Sequence, residues 1–187
     1  MMNAKIGLFS LIAVAMVSFS VTKNSDNLGV ENINFNRNPI GNEFVVPHNG
    51  RAELEMIDMI NNLRKKKGLK TLKYDQKLTQ AARYHAADMA IENYFEHHTH
   101  NLKNNMLQDE LGTFERIGKF YKGIGYPNSE NCAAGNTGVK DTFLQWLHSP
   151  GHYANMLNSS STHIGIGYYY NENSYYSSYW VMDTASE

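Results

Sequence analysis

The stretch "HIGIGYYYNENSYYSSYWVMDT", residues 163–184, decides the fold. Its halves, "HIGIGYYY" and "SSYWVMDT", are rich in β-branched and aromatic residues, and "NENS" between them supplies turn formers. Two strands joined as a hairpin follow from that pattern. Upstream the period changes. Met56, Ile57, Ile60 and Leu63 share one helical face, and "RKKKG" marks its end, with basic residues at the carbonyl terminus and Gly68 as a left-handed cap. A second helix starts near Asp75 and carries Leu78, Ala81, Ala82, His85 and Met89 on one stripe, where His85 reads as a hydrogen-bonded core-edge histidine. After "NYFEHHTHN" (93–101) comes a looser region with a short helical pattern around Phe114 and Ile117. "GIGYPNSENCAAGN" (123–136) is turn-rich with extended residues at 129–133, and a third helix covers about 138–148. Helices ahead of a terminal hairpin define an α+β domain, with helices packed on an antiparallel sheet.

"LHSPGHYANML" (147–157) reads as a short helix start. Ser149 suits the N-cap and Pro150 the first helical position, because proline lacks an N–H that would go unpaired there. His152 then lies near the positive end of the helix dipole, which keeps its ring neutral. A neutral imidazole there can ligate a metal, accept a proton or fill space, and all three stay open.

The 187 residues carry a net charge of −1. Lys5 precedes the apolar run "IGLFSLIAVAMV", and "SFS" (18–20) has the small-x-small form of a signal-peptidase site. Residues 1–20 are therefore expected to be a removed signal peptide rather than a membrane anchor, leaving no stable span and a secreted, extracellular or periplasmic, product. The charge balance excludes an electrostatic footprint for nucleic acid. Residues 21–47, with seven Asn over 21–48, are expected to be a flexible leader into a single domain over 48–187. The one cysteine, Cys132, cannot form an internal disulfide.

Four separated pieces occur in one order: "LKYDQKLTQAARYHAADMA", "YFEH", "SENCAAG" and "WLHSPGHYANML", closed by "IGIGY" and "YWVMD". Together they resemble the CAP superfamily (SCP-like: cysteine-rich secretory proteins, antigen 5 and plant pathogenesis-related proteins), and its bacterial, cysteine-poor branch in particular. The resemblance implies an α-β-α sandwich with a central antiparallel sheet and a cleft holding two histidines and two acids. By motif these are His97 in "YFEH", Glu130 in "SEN" and His152 in "SPGH". His98 rivals His97 as the inward histidine. The second acid of many relatives falls at Ser149, so that carboxylate is missing.

His97, Glu130 and His152 are plausible ligands for Zn²⁺, two neutral nitrogens and one charge-neutralising oxygen with water completing the shell. Their spacing carries no short metal signature, and only the family cleft brings them together. Glu130, His148 and Ser149 are expected along the ligand-binding rim. Cys132, two residues from Glu130, shares its face in an extended segment, so a Cys–His pair with His152 is conceivable, although a small buried hydrophobe fits better. The resemblance implies a secreted binding module for a metal, a small lipid-like ligand or a protein partner. A metal-dependent hydrolase using the same cleft is the alternative, which the serine at 149 disfavours. The tyrosines at 168–170, 175, 176 and 179 read as ordinary strand composition.

Overall fold

Period two through the terminal hairpin sorts the core into two halves. In the computed structural model, which describes residues 32–103 and 106–187, strand β5 (His163–Tyr170) pairs antiparallel with β6 (Ser178–Ser186), and β6 with β4 (Tyr126–Ala134). Ile164, Ile166, Tyr168, Trp180 and Met182 point to one face, where helices α1 (Gly50–Lys66), α4 (Val139–His148) and α5 (Pro150–Met156) cover them. Tyr169, Tyr179, Val181 and Cys132 point to the other, under α2 (Gln76–Ile91). Helix α3 (Thr113–Phe120) extends that second layer through Ile117 and Tyr121, against Ala185 of β6. The result is the expected α-β-α sandwich.

The sheet order is β1-β5-β6-β4, and it departs from the expectation at one edge: β1 (Lys73–Tyr74) runs parallel to β5. The looser region past residue 98 is also more ordered than its sequence suggests. Strands β2 (Thr99–Lys103) and β3 (Met106–Leu111) form an antiparallel hairpin outside the main sheet. The extended segment read at 129–133 is the centre of the nine-residue β4.

Helix ends follow their sequence signals. Asn49 and Asp75 accept hydrogen bonds from Ala52 N–H (3.1 Å) and Leu78 N–H (2.8 Å) as N-caps. At the end of α1, Gly68 adopts φ +73°, its N–H donates to the Lys65 carbonyl, and Leu69 N–H donates to the Arg64 carbonyl. That is the Schellman arrangement, and glycine takes its left-handed position without a Cβ penalty.

Order begins before residue 48. Residues 32–48 are irregular, yet Phe35 and Val45 are buried in the α2-side core; Phe35 stacks on Tyr84 at 5.2 Å, and Val45 N–H donates to Gln80 Oε1 at 2.9 Å. The expected flexible leader is thus corrected over 32–47. Two apolar anchors and a buried backbone hydrogen bond hold a segment whose asparagine content hid them. The expected signal peptide, residues 1–20, lies outside the described residues.

Candidate functional site

Strand alternation builds the site. Glu130 and Cys132 sit two apart on β4 and face the α2/α3 layer, and Asp183 of β6 lies opposite Glu130 in the register. The turn after α2 presents His97. Its Nδ1 donates to Glu130 Oε1 at 2.8 Å, while its side chain stays 53 % exposed. His98 instead pairs with Asp109 on the exposed β2–β3 hairpin at 2.8 Å, so His97 is the inward histidine.

Behind this pair is a residue that the sequence reading passed over. Arg116 of α3 is fully buried; its guanidinium donates to Glu130 Oε2, to the His97 carbonyl (2.8 Å) and to Thr99 Oγ1 (3.3 Å). One cation thus holds both the carboxylate and the backbone of the histidine that the carboxylate orients. Burial opposes ionisation of Glu130, but Arg116, His85 and His97 outweigh it and bring its pKa down to about 2. Arg116 can neutralise only one acid. Burial and the Glu130 charge push Asp183 well above the usual carboxylate range, and among the described residues no donor reaches its oxygens.

His85 of α2 closes the cluster from above. Its Nε2 donates to the Glu96 carbonyl at 2.9 Å, and burial, with Arg116 nearby, drives its pKa to about 3, so it is neutral. The core-edge reading of His85 thus holds, with the addition that it abuts the carboxylate. Cys132 is equally enclosed. Its Sγ lies 3.7 Å from His97 Nδ1 rather than beside His152, and burial next to Glu130 raises the thiol's pKa, which leaves it un-ionised.

His152 enters from α5, on the far side of β4. Asn131 Nδ2 donates to its carbonyl at 3.0 Å, and Asn155 Nδ2 bridges to Asn131 Oδ1 (2.8 Å) and the Glu130 carbonyl (3.0 Å), which ties α5 to the strand carrying the acid. Burial lowers the His152 pKa, and the charge of His97 lowers it further. Ser149 occupies the N-cap position and Pro150 the first turn, but the serine side chain makes no capping hydrogen bond. His148 is exposed at the end of α4. Among the described residues it makes no hydrogen bond or ion pair with His97, Glu130 or His152, so the structure does not draw it into the cluster.

Among the described residues, the group of three whose ligand atoms come within 4.8 Å of one another is His85, Glu130 and Cys132. In that trio Arg116 already holds Glu130, which leaves the carboxylate little charge to offer a divalent cation. Glu130 is likewise a poor direct ligand in the set read from the sequence, since His97 takes one oxygen and Arg116 the other. With Nδ1–H donated to Glu130, His97 keeps Nε2 as its lone-pair nitrogen, the carboxylate–histidine arrangement that orients a metal-ligating ring. His152 supplies a second neutral imidazole.

The two histidines are driven apart in acidity. The hydrogen bond to Glu130 raises His97 above 6.5 despite burial, while His152 falls below it. In an NMR titration His97 is expected to protonate at higher pH than His152, and Glu130→Gln to bring His97 down. Coincident titration of both rings would disprove the coupling. The sign for stability follows: the raised His97 contribution is fully present below about pH 6.5, its unfolded value, and is lost as pH rises through the folded value.

A three-layer sandwich whose edge strand presents a carboxylate to the histidine of "YFEH", with a second histidine from a Pro-Gly-His helix start, agrees with the SCP-like class of domain that the resemblance implies. The chain belongs to the cysteine-rich secretory protein family, CAP, which residues 57–184 match. It is 34 % identical over 116 residues to YkwD of Bacillus subtilis, covering 62 % of this chain and 42 % of that protein. It is 34 % identical over 129 residues to YlbC of the same organism, described as a membrane protein, covering 65 % of this chain and 34 % of the relative. The chain thus spans well under half the length of either. Among solved structures, an extracellular SCP-domain protein of Bacillus anthracis superposes with TM-score 0.61 at 24 % identity, over 74 % of this chain and 41 % of the other. An outer surface protein of Borrelia burgdorferi does so with TM-score 0.61 at 19 % identity, over 74 % and 95 %. These solved neighbours establish the fold. No helix among the described residues is long and apolar enough to cross a membrane.

Proposed function

We propose that this chain is an exported CAP-domain binding module whose cleft holds a divalent cation such as Zn²⁺ through His97 and His152, with Glu130 behind them rather than in the coordination shell. Residues 1–20 direct export in this reading, in keeping with the extracellular and surface neighbours. The observation that carries the proposal is the double commitment of the Glu130 carboxylate, one oxygen to His97 and one to Arg116. A carboxylate fixed in that way orients the His97 ring, and with its pKa held down chiefly by Arg116 it is a weak base toward water. With Ser149 where relatives place a second acid, the cleft offers no second carboxylate as general base, and binding is favoured over hydrolysis.

Two imidazoles without an anionic ligand make a weak site, and a bound cation would supply Lewis acidity at the cleft mouth. The test is calorimetry with Zn²⁺ on the chain from residue 21 onward. Stoichiometric binding is expected, absent in His97→Ala/His152→Ala and weakening as pH falls and His97 takes up a proton. Glu130→Gln should lose roughly 10- to 100-fold in affinity, the usual effect of removing an orienting partner, instead of all binding. A folded wild type that binds no zinc would overturn the proposal, and Glu130-dependent turnover of an ester or peptide would replace it with the hydrolase reading.

A further inference from the structure

The cleft leaves unused the densest run of positive charge in the chain: Arg64, Lys65, Lys66, Lys67, Lys70 and Lys73, in a protein of net charge −1. The helix end accounts for part of it. Arg64, Lys65 and Lys66 occupy the last turn of α1, where cations meet the carbonyl end of the dipole. Lys70 and Lys73 do not belong to that turn. The reversal at Gly68 carries them beyond the helix to the mouth of a cavity of about 570 Å³.

Arg64, Lys70, Thr71 and Lys73 line this cavity on one side, Ser159 and Thr162 on the other, and among the described residues neither an acidic residue nor an aromatic ring contributes to its wall. Arg64 is the second observation. It is 1 % exposed, and its guanidinium donates only to backbone carbonyls, those of Lys70 (2.9 Å), Met156 (2.9 Å) and Asn158 (3.0 Å). Among the described residues no carboxylate pairs with it, unlike buried Arg116, which has Glu130. Glu187, the acid near Thr162, turns its carboxylate to His163 at 3.6 Å. A buried cation ordinarily has an anionic partner. Two of the three carbonyl acceptors of Arg64 belong to the C-terminal end of α5, which favours a cation there but carries no full charge, so the guanidinium keeps its net positive charge beside the cavity and two further ammonium groups.

We propose that this cavity binds a phosphate-type oxyanion, inorganic or esterified. Lys70 and Lys73 supply point charges that suit phosphate, and the exposed Thr71 and Ser159 hydroxyls supply neutral donors. The absence of an aromatic wall argues against a nucleobase, so recognition is of the charged group itself. The site is separate from the His97/His152 cleft and stands whether or not that cleft holds a metal.

The experiment titrates the ¹⁵N-labelled protein with sodium pyrophosphate against sodium chloride of equal ionic strength. Saturable amide shifts are expected at residues 68–73 and 159–162, weakening at least about tenfold in Lys70→Gln/Lys73→Gln and falling as salt screens the charges. Both lysines are exposed, so the variant should keep the wild-type melting temperature and the His97 resonance. Shifts that chloride reproduces, or that the folded double variant retains, would overturn the site. Sedimentation with phosphatidylglycerol vesicles, lost in the same variant, would support it with a lipid headgroup as the source. Saturation by pyrophosphate without vesicle binding would support it with a soluble or polymeric phosphate.

Discussion

Gly165→Ala and Gly167→Ala are each expected to destabilise the domain by about 3 kcal/mol or more, lowering Tm by roughly 10 °C, and together to prevent folding. A Cβ on Gly165 would sit 2.2 Å from the Leu78 carbonyl carbon and the Thr79 nitrogen; one on Gly167 would sit 2.3 Å from the corresponding atoms of Ala82 and Arg83. The obstructing atoms are the backbone of α2, which cannot swing aside as a side chain does. Helix α2 therefore rests directly on β5, and the alternation Ile-Gly-Ile-Gly puts bulk toward α1 and none toward α2. Gly118→Ala is the control. It lies inside α3 with nothing within 4 Å of an added Cβ, so helix propensity should make it neutral or stabilising by up to about 1 kcal/mol. Thermal denaturation of the three variants reads this directly. Tolerance of Gly165→Ala within about 1 kcal/mol would mean that α2 and β5 are not packed so closely.

This contact also shows why so much of the fold was legible. Each major element carries a regular apolar pattern: Met56, Ile57 and Ile60 on one face of α1, Leu78 to Met89 along an α2 buried nearly all round, and alternate residues of β5 and β6 sent to the two cores. The elements that escaped notice lack such a pattern. Strand β3 exposes Met106 and Leu107 and buries only Leu111, and β1 has two residues, so hydrogen-bonding geometry rather than periodicity defines them. The site divides similarly. His97, Glu130 and His152 were singled out only because the family resemblance implies one cleft for them; their spacing in the chain says nothing. Arg116 gave no signal, since an arginine beside Ile117 in a short amphipathic helix looks like any surface residue. Only the tertiary fold turns it inward to Glu130, and with it the chemistry of that carboxylate changes from ligand to support.

Arg116→Met is the sharpest test of that support. The substitution keeps length and removes the charge, which leaves the Glu130 carboxylate buried with only half-exposed His97 against it. Breaking one side of a buried pair typically costs 3–5 kcal/mol, so Tm should fall by about 10 °C at neutral pH. The pH dependence separates this electrostatic cost from lost packing. Folded Glu130 has its pKa depressed to about 2, from an ordinary value of 4.5. A depressed acid contributes stability that is present above the unfolded value and is lost as pH falls through the folded one. The gap between wild type and Arg116→Met should therefore be full above about pH 4.5 and shrink toward pH 2, where wild-type Glu130 also takes up its proton. Arg116→Met/Glu130→Gln should recover part of the loss at neutral pH, because the second change removes the stranded charge. If the single variant instead loses the same stability at every pH, and the double variant recovers none, Arg116 acts by filling space. Glu130 would then not be held ionised by Arg116, and it would not stand behind His97 as a fixed carboxylate.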